Sequence, residues 1–363
     1  MVTLGQKIGL LKGLLHGEVA PAGQFMVTAD VTSRCNLQCL GCRSHSSYAP
    51  FPAENAPDIS LPFMEKLCDD LRRRQSSYLI LTGDGEPMLH PRIFDIVTMG
   101  KRAGCHVILF TNGTLLTQAN AVSLRECGLD VLRVSLWASS IPECQENYPG
   151  TPPGLFTTVT EGLRRVAASK NGRPPRLILH QPLNRHNMRG LLDFMELAAG
   201  TGCDGVSFSP MRTWGGAPLK EFIIGDEDLP RLRDELRKAR RWLDERGLSH
   251  NIEEVLQRFE VGENVWAAVP CYIAWLHLRV RLDGTVQACL TCDRNLGNLR
   301  HQTLGDIWNG EPMRRLRREL RRNSKTALAD NCDCGYCCYL AANQRVHKYY
   351  RWLAPIANLG GCR

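Results

Sequence analysis

The 363-residue chain has no run approaching the roughly 18 to 20 apolar residues needed to cross a bilayer as a helix. It has no secretory signal either: in the N-terminal GQKIGLLKGLLHGE, Lys7 and Lys12 break the apolar positions at helical spacing. Residues 1–24 therefore read as a short amphipathic helix on the protein body, and the chain is expected to be cytoplasmic, with no membrane partner. Internal repeats and low-complexity segments are missing. Acidic residues are in deficit, 37 against 45 Lys and Arg, for a net charge of +8. The surplus sits mainly in RRLRRELRRNSK (314–325) and RLRDELRKARRWLDER (231–246), which solvated helix faces explain. The first run has no interleaved aromatics, so it lacks the stacking platform of a single-strand binder, and nucleic acid is not an expected partner.

Cysteine is plentiful. Sixteen cysteines in a long chain without an export signal point to metal binding or chemistry before disulfides. Three of them, Cys35, Cys39 and Cys42, fall within DVTSRCNLQCLGCRSHSS, and seven lie between 271 and 338. The rest (Cys68, Cys105, Cys127, Cys144, Cys203, Cys362) are scattered, mostly within apolar patterns, as small buried hydrophobes would be. A closed metal or iron–sulfur site normally takes four protein ligands, so the N-terminal trio leaves one position open. A Cys3His zinc site completed by His45 is the competing reading.

Between residues 26 and 210, short apolar runs alternate with amphipathic stretches. Strands are predicted at 25–31, 77–82, 106–111, 131–136, 176–181 and 205–210, with intervening helices starting near Leu61, Arg92, Leu115, Leu155 and Met188. Such βαβ alternation implies right-handed crossovers and a parallel sheet, either a curved (β/α)6 partial barrel or an open sheet. In both, ligands gather at the carboxyl ends of the strands, where the trio follows the first strand. Residues 211–265 read as a charged helical bridge. HLRVRLDGTVQACL (277–290) reads as a hairpin turning at Asp283-Gly284, followed by a single helix from about Thr303 to Arg322. A small second domain is expected at 266–363.

The C-x3-C-x2-C spacing after the first strand resembles the radical SAM superfamily, and further motifs recur in order over residues 25–210. LTGDGEP (81–87) resembles the family's Gly-Gly-Glu-Pro element, with Gly83 and Gly85 letting the backbone approach the methionyl part and Glu86 facing the ammonium group; Asp84 departs from the pattern, standing where the family usually has glycine. FTNGTLL (110–116) places Asn112 at the cofactor end, and RVSLWA (133–138) places Ser135 where a polar residue contacts ribose or carboxylate. The resemblance implies a [4Fe–4S] cluster on Cys35, Cys39 and Cys42, whose fourth iron is chelated by S-adenosylmethionine (SAM). It further implies reductive cleavage of SAM to a 5′-deoxyadenosyl radical, hydrogen-atom abstraction from substrate, and an electron donor such as flavodoxin or ferredoxin.

Cys271, Gly284 and Cys289 follow C-x12-G-x4-C, similar to the opening of the C-terminal SPASM and twitch domains of that superfamily. The full two-cluster pattern would require C-x2-C-x5-C-x3-C, whereas the chain offers CDCGYCC. The expectation is therefore one auxiliary [4Fe–4S] cluster on Cys271, Cys289, Cys334 and Cys337, with Cys292, Cys332 and Cys338 as replacements; two clusters, or a zinc ribbon, are the alternatives. The expected substrate is a small polar molecule, sugar- or aminocyclitol-like, that is oxidised, epimerised or rearranged, with Cys144 a candidate hydrogen donor for epimerisation. The alternatives are maturation of a ribosomally made peptide and, in another class, a non-catalytic metal-binding nucleic-acid protein.

Overall fold

The computed structural model describes residues 4–359 except 50–55, 152, 171, 213–216, 263–264, 329–331 and 333. Cys362 lies outside them. The six expected strands form at Met26–Asp30 (β1), Tyr78–Thr82 (β2), His106–Thr111 (β3), Val131–Ser135 (β4), Arg176–Leu183 (β5) and Gly205–Pro210 (β6). They pair in parallel in sequence order, joined by helices that include Leu61–Arg73, Ile93–Arg102, Gln118–Glu126, Leu155–Lys170 and Leu191–Gly200. A further short helix, Ile141–Asn147, lies between β4 and β5; Ser140 caps it through a bond from the Glu143 N–H, and Pro142 occupies its first turn.

The two faces of the sheet differ chemically. Leu79, Leu81, Val107 and Leu109 are fully buried. The helix Ile93–Arg102 lies so close to this face that a Cβ on Gly100 would stand 2.7 Å from Leu79 and 3.0 Å from Val107. The opposite, inner face carries Asp30, Phe110, Arg133, Ser135, His180 and Ser207. Strand register fixes this set: Phe110 opposes Arg133, Ser135 opposes His180, and His180 opposes Ser207.

The sheet continues past β6 from its other edge. His277–Val280 (β7) pairs in parallel with β1, and Thr285–Gln287 (β8) and Gly297–Asn298 (β9) extend it antiparallel, giving the order β6-β5-β4-β3-β2-β1-β7-β8-β9. The expected hairpin is β7–β8, with Gly284 at φ +86° in the turn that closes it. The region expected as a small second domain is hydrogen-bonded through β7 to β1.

The single helix expected over Thr303–Arg322 is two helices, Leu304–Trp308 and Glu311–Arg322. Thr303 and Asp306 form a capping box on the first. Gly310 then caps the second, whose first turn holds Pro312, a residue that cannot continue a preceding helix. No described helix is long and apolar enough to cross a membrane.

Candidate iron–sulfur and cofactor site

The cysteine loop leaves β1 and is fastened to the end of β2. Val31 N–H donates to the Thr82 carbonyl at 3.1 Å, and Glu86 N–H donates to the Arg34 carbonyl at 2.8 Å. Gly85 is required by this crossing, since a Cβ there would stand 2.3 Å from Arg34 O and 2.7 Å from the Ser33 carbonyl carbon. Arg34 in turn pairs with Asp58 and donates to Leu89 O, and Leu37 and Leu40 are buried beneath the loop. Asn36 donates to Thr114 Oγ1 and accepts from Asn112 Nδ2, both at 2.8 Å, so the residue after Cys35 is tied to the end of β3. Leu40 N–H reaches Asn147 O at 3.0 Å, while Gly41 presses against Trp137 and Met211, beyond β4 and β6. These ties place Cys35, Cys39 and Cys42 over the carboxyl ends of the strands.

Burial pushes the Cys35 thiol up to about 11 and the Cys39 thiol well above its usual range, with the neighbouring cysteines adding like-charge repulsion in both cases. Such thiols stay protonated until a cation compensates them, as iron would. The backbone N–H of His45 already points at Cys42 Sγ, 3.3 Å away. Among the described residues, no three His, Cys, Asp or Glu side chains converge on a point for a single ion.

The expected cofactor residues all lie at this rim, with partners the sequence did not disclose. Glu86 is buried and spends its carboxylate on the protein: Oε1 accepts from Met88 N at 2.9 Å and Thr111 Oγ1 at 2.7 Å, and Oε2 accepts from Asn112 N at 2.6 Å. Burial raises its pKa, and those three donors hold it down only in part. Glu86 is therefore first a clasp between the β2 loop and β3. Ser135 Oγ accepts from Trp137 Nε1 at 3.1 Å. Gly83, at φ +159°, lies against Thr32 O rather than opening toward solvent.

Asp84, the residue that departs from the family pattern, faces the C-terminal region. It lies 3.3 Å from Arg279 and 3.6 Å from Arg281. Arg279 is itself buried and grips Asp30, the last residue of β1, with Nε at 3.1 Å and Nη2 at 2.7 Å. An acid–base relay thus joins β1, the β2 loop and β7.

Cys271, Cys289, Cys292, Cys332, Cys334 and Cys337 line one enclosed cavity, walled otherwise by apolar groups including Ile273, Leu316, Leu320 and Leu328. Burial, then repulsion from Cys337, Cys289 and Cys334, pushes the Cys271 thiol well up; burial, then Cys289 and Cys334, pushes Cys337 to about 12. The four expected ligands are therefore mutual neighbours. Cys292 and Cys332 form an antiparallel bridge and share a side-chain hydrogen bond, and Cys338 bonds to Cys289. The spacing alone did not reveal Arg258, whose Nε and Nη2 both donate to Tyr336 O inside the cysteine loop, at 3.2 and 2.8 Å. Cys144 lies elsewhere: it is a buried residue of the helix Ile141–Asn147, and burial takes its thiol to about 11.

A parallel β/α sheet thus carries a cysteine trio at its mouth and a cysteine cage on its edge. The comparisons make the class specific. Residues 30–148 match the radical SAM superfamily and residues 271–346 match SPASM, an iron–sulfur cluster-binding domain. The chain belongs to the radical SAM superfamily and carries a SPASM domain; such a core binds a [4Fe–4S] cluster and SAM, and such a domain binds auxiliary iron–sulfur clusters. The AdoMet-dependent heme synthase of Methanosarcina barkeri is 34% identical over 138 residues, 38% of this chain and 38% of that protein. The chain thus spans well under half the length of that curated relative. The tungsten-containing aldehyde ferredoxin oxidoreductase cofactor-modifying protein of Pyrococcus furiosus is 25% identical over 301 residues, 78% of this chain and 80% of its own. In fold, Streptococcus suis SuiB bound to the precursor peptide SuiA superposes with a TM-score of 0.64 at 15% identity, over 88% of this chain and 73% of that one. Native anSMEcpe with bound AdoMet gives 0.63 at 15% identity, over 92% and 100%.

Proposed function

We propose that the chain is an enzyme in which Cys35, Cys39 and Cys42 hold the SAM-binding [4Fe–4S] cluster and Cys271, Cys289, Cys334 and Cys337 hold one auxiliary cluster. The observation that carries this reading is the tethering of a three-thiol loop to the ends of β2 and β3 by Glu86, Gly85 and Asn36. When bound, the cluster and SAM supply one-electron cleavage of the sulfonium and removal of a hydrogen atom from substrate. The chain's own residues do the rest. Glu86 and Asn112 hold the rim loops in register, and Trp137 and Met211 close over Gly41 so that water is kept from the reacting centre. The polar inner face, with Arg133, Ser135, His180 and Ser207, supports a small polar substrate. Oxidation, epimerisation and rearrangement all fit it, and the adjoining cage could take up an electron in the first. A reduced donor protein of flavodoxin or ferredoxin type would supply the starting electron, and we place the functional boundaries at 25–210 and 266–363.

Anaerobic reconstitution followed by iron analysis and incubation with SAM and dithionite tests the reading. About eight irons per chain and release of 5′-deoxyadenosine are expected. About four irons would remove the auxiliary cluster, and about twelve would call for a third. Absence of 5′-deoxyadenosine under strong reductant would overturn the activity.

A further inference from the structure

Among the described residues, Arg133 is a cation without a counter-ion. It projects from β4 onto the inner face, two positions before Ser135 and so about 6 to 7 Å deeper along the strand. Its Nε is buried with no hydrogen-bond partner. Among the described residues its guanidinium closes no ion pair; it stacks over Phe110, 5.4 Å from the ring centroid. The acid whose charge it feels most is Glu254, itself largely exposed and near Arg345, while Arg176 adds positive charge. Across the sheet, His180 places Nδ1 2.9 Å from Ser207 Oγ and Nε2 3.2 Å from Ser209 Oγ. Burial, together with Arg133 and Arg258, drives His180 down to about 3, so the ring is neutral: one nitrogen accepts from its serine, and the other donates to its serine and leaves that hydroxyl's proton free. A half-buried guanidinium whose Nε has no partner gains from an anion that pairs with it, and among the described residues none does.

We propose that Arg133, with His180 on the neighbouring strand at the level of Ser135, is an anion-binding subsite that seats a carboxylate or phosphate of the substrate. The proposal rests on the reading of the barrel interior as the substrate chamber, and it narrows the substrate class from polar to anionic. Two sources could supply the anion: the substrate, or the carboxylate of SAM itself. The depth of Arg133 below Ser135 favours the substrate.

The test uses the reconstituted holoenzyme loaded with SAM, titrated calorimetrically with pyrophosphate and with succinate. The wild type and R133K should bind at least one probe. R133Q should bind it at least about tenfold more weakly, while its iron content and SAM affinity stay within about twofold of wild type. Equal probe binding by wild type and R133Q, or no binding of either probe by the wild type, overturns the proposal. So does a tenfold loss of SAM affinity in R133Q, which would give the guanidinium to the cofactor's carboxylate. Should R133Q fail to fold, bromide soaked into crystals of the wild-type holoenzyme decides: anomalous density in contact with Arg133 is expected, and its absence refutes the subsite. Formation of 5′-deoxyadenosine by the wild type is read separately, so the subsite can fail while the proposed activity stands.

Discussion

The two cysteine groups solve opposite problems. The trio sits on a loop tied by backbone contacts to Gly85 and Glu86 and by Asn36 to the end of β3, over the mouth of the sheet. The cage gathers six cysteines around an apolar cavity closed by Leu316, Leu320 and Leu328, with Arg258 holding the loop at Tyr336. An open site can exchange a ligand, whereas a closed one can store charge or hold shape. The largest test of this difference is a matched pair of substitutions. Cys39→Ala should abolish 5′-deoxyadenosine formation and remove about four irons per chain. Cys337→Ala should remove a similar amount of iron yet leave SAM cleavage by the trio's cluster detectable, because the cage lies beyond the cofactor rim. Equal loss of SAM cleavage in both would mean that the two regions do not divide the work.

The link between the regions should matter next. Arg279 and Asp30 are each about 5% exposed or less and hydrogen-bonded by two guanidinium nitrogens. Arg279→Met leaves the Asp30 carboxylate buried without its partner, a change expected to cost about 3 to 5 kcal/mol in denaturant unfolding. Adding Asp30→Asn should recover a large part of that, since a neutral amide needs less compensation. If the single variant were as stable as wild type, the pair would not be what fastens β7 to β1.

Much of this arrangement was legible in the sequence. The six parallel strands announced themselves because each is a short apolar run between turn signals, and the trio's place followed from its coming directly after the first run. The hairpin was visible in Asp283-Gly284. The break at Asn309-Gly310 was written in the chain as Gly310 two residues before Pro312, and the strong amphipathic pattern of the arginine-rich helix hid it. The Asp84–Arg279 contact was not legible, because it joins residues 195 apart in the chain and depends on β7 choosing β1 as its neighbour. Glu86 looked like a ligand-facing acid from its motif, but only the burial of Thr111 and the approach of Asn112 N–H show that its oxygens are already engaged. Arg133 and His180 sat unnoticed inside strands read for their apolar positions; register alone puts them on one face of neighbouring strands.

Glu86 sharpens the comparison through pH. Its folded pKa is raised by burial, so the folded state keeps a proton that the unfolded chain releases. Its contribution to stability is therefore present below the usual glutamate range and declines as pH rises through the raised value. Glu86→Gln removes that titration but sets an amide N–H₂ against the donors of the clasp, and should cost about 1 to 3 kcal/mol. The stability difference between wild type and Glu86→Gln should shrink as pH rises from the usual glutamate value, by no more than about 1.4 kcal/mol per pH unit. A difference that grows with pH would mean that the three donors outweigh burial.

Asp84 should give the smallest effect, and the most particular to this chain. It stands where related proteins usually carry glycine, and its carboxylate is about one-fifth exposed beside Arg279 and Arg281. Solvent screens such a pair, so Asp84→Gly should lower stability by no more than about 1 kcal/mol. The change also leaves Arg279 with its stronger partner, Asp30, so most of the β1–β7 fastening remains. The informative measurement is a double-mutant cycle with Arg281→Gln, in unfolding and in SAM affinity. Non-additivity in both would mean that the C-terminal region steadies the cofactor loop through Asp84; non-additivity in unfolding alone would confine Asp84 to holding the two regions together.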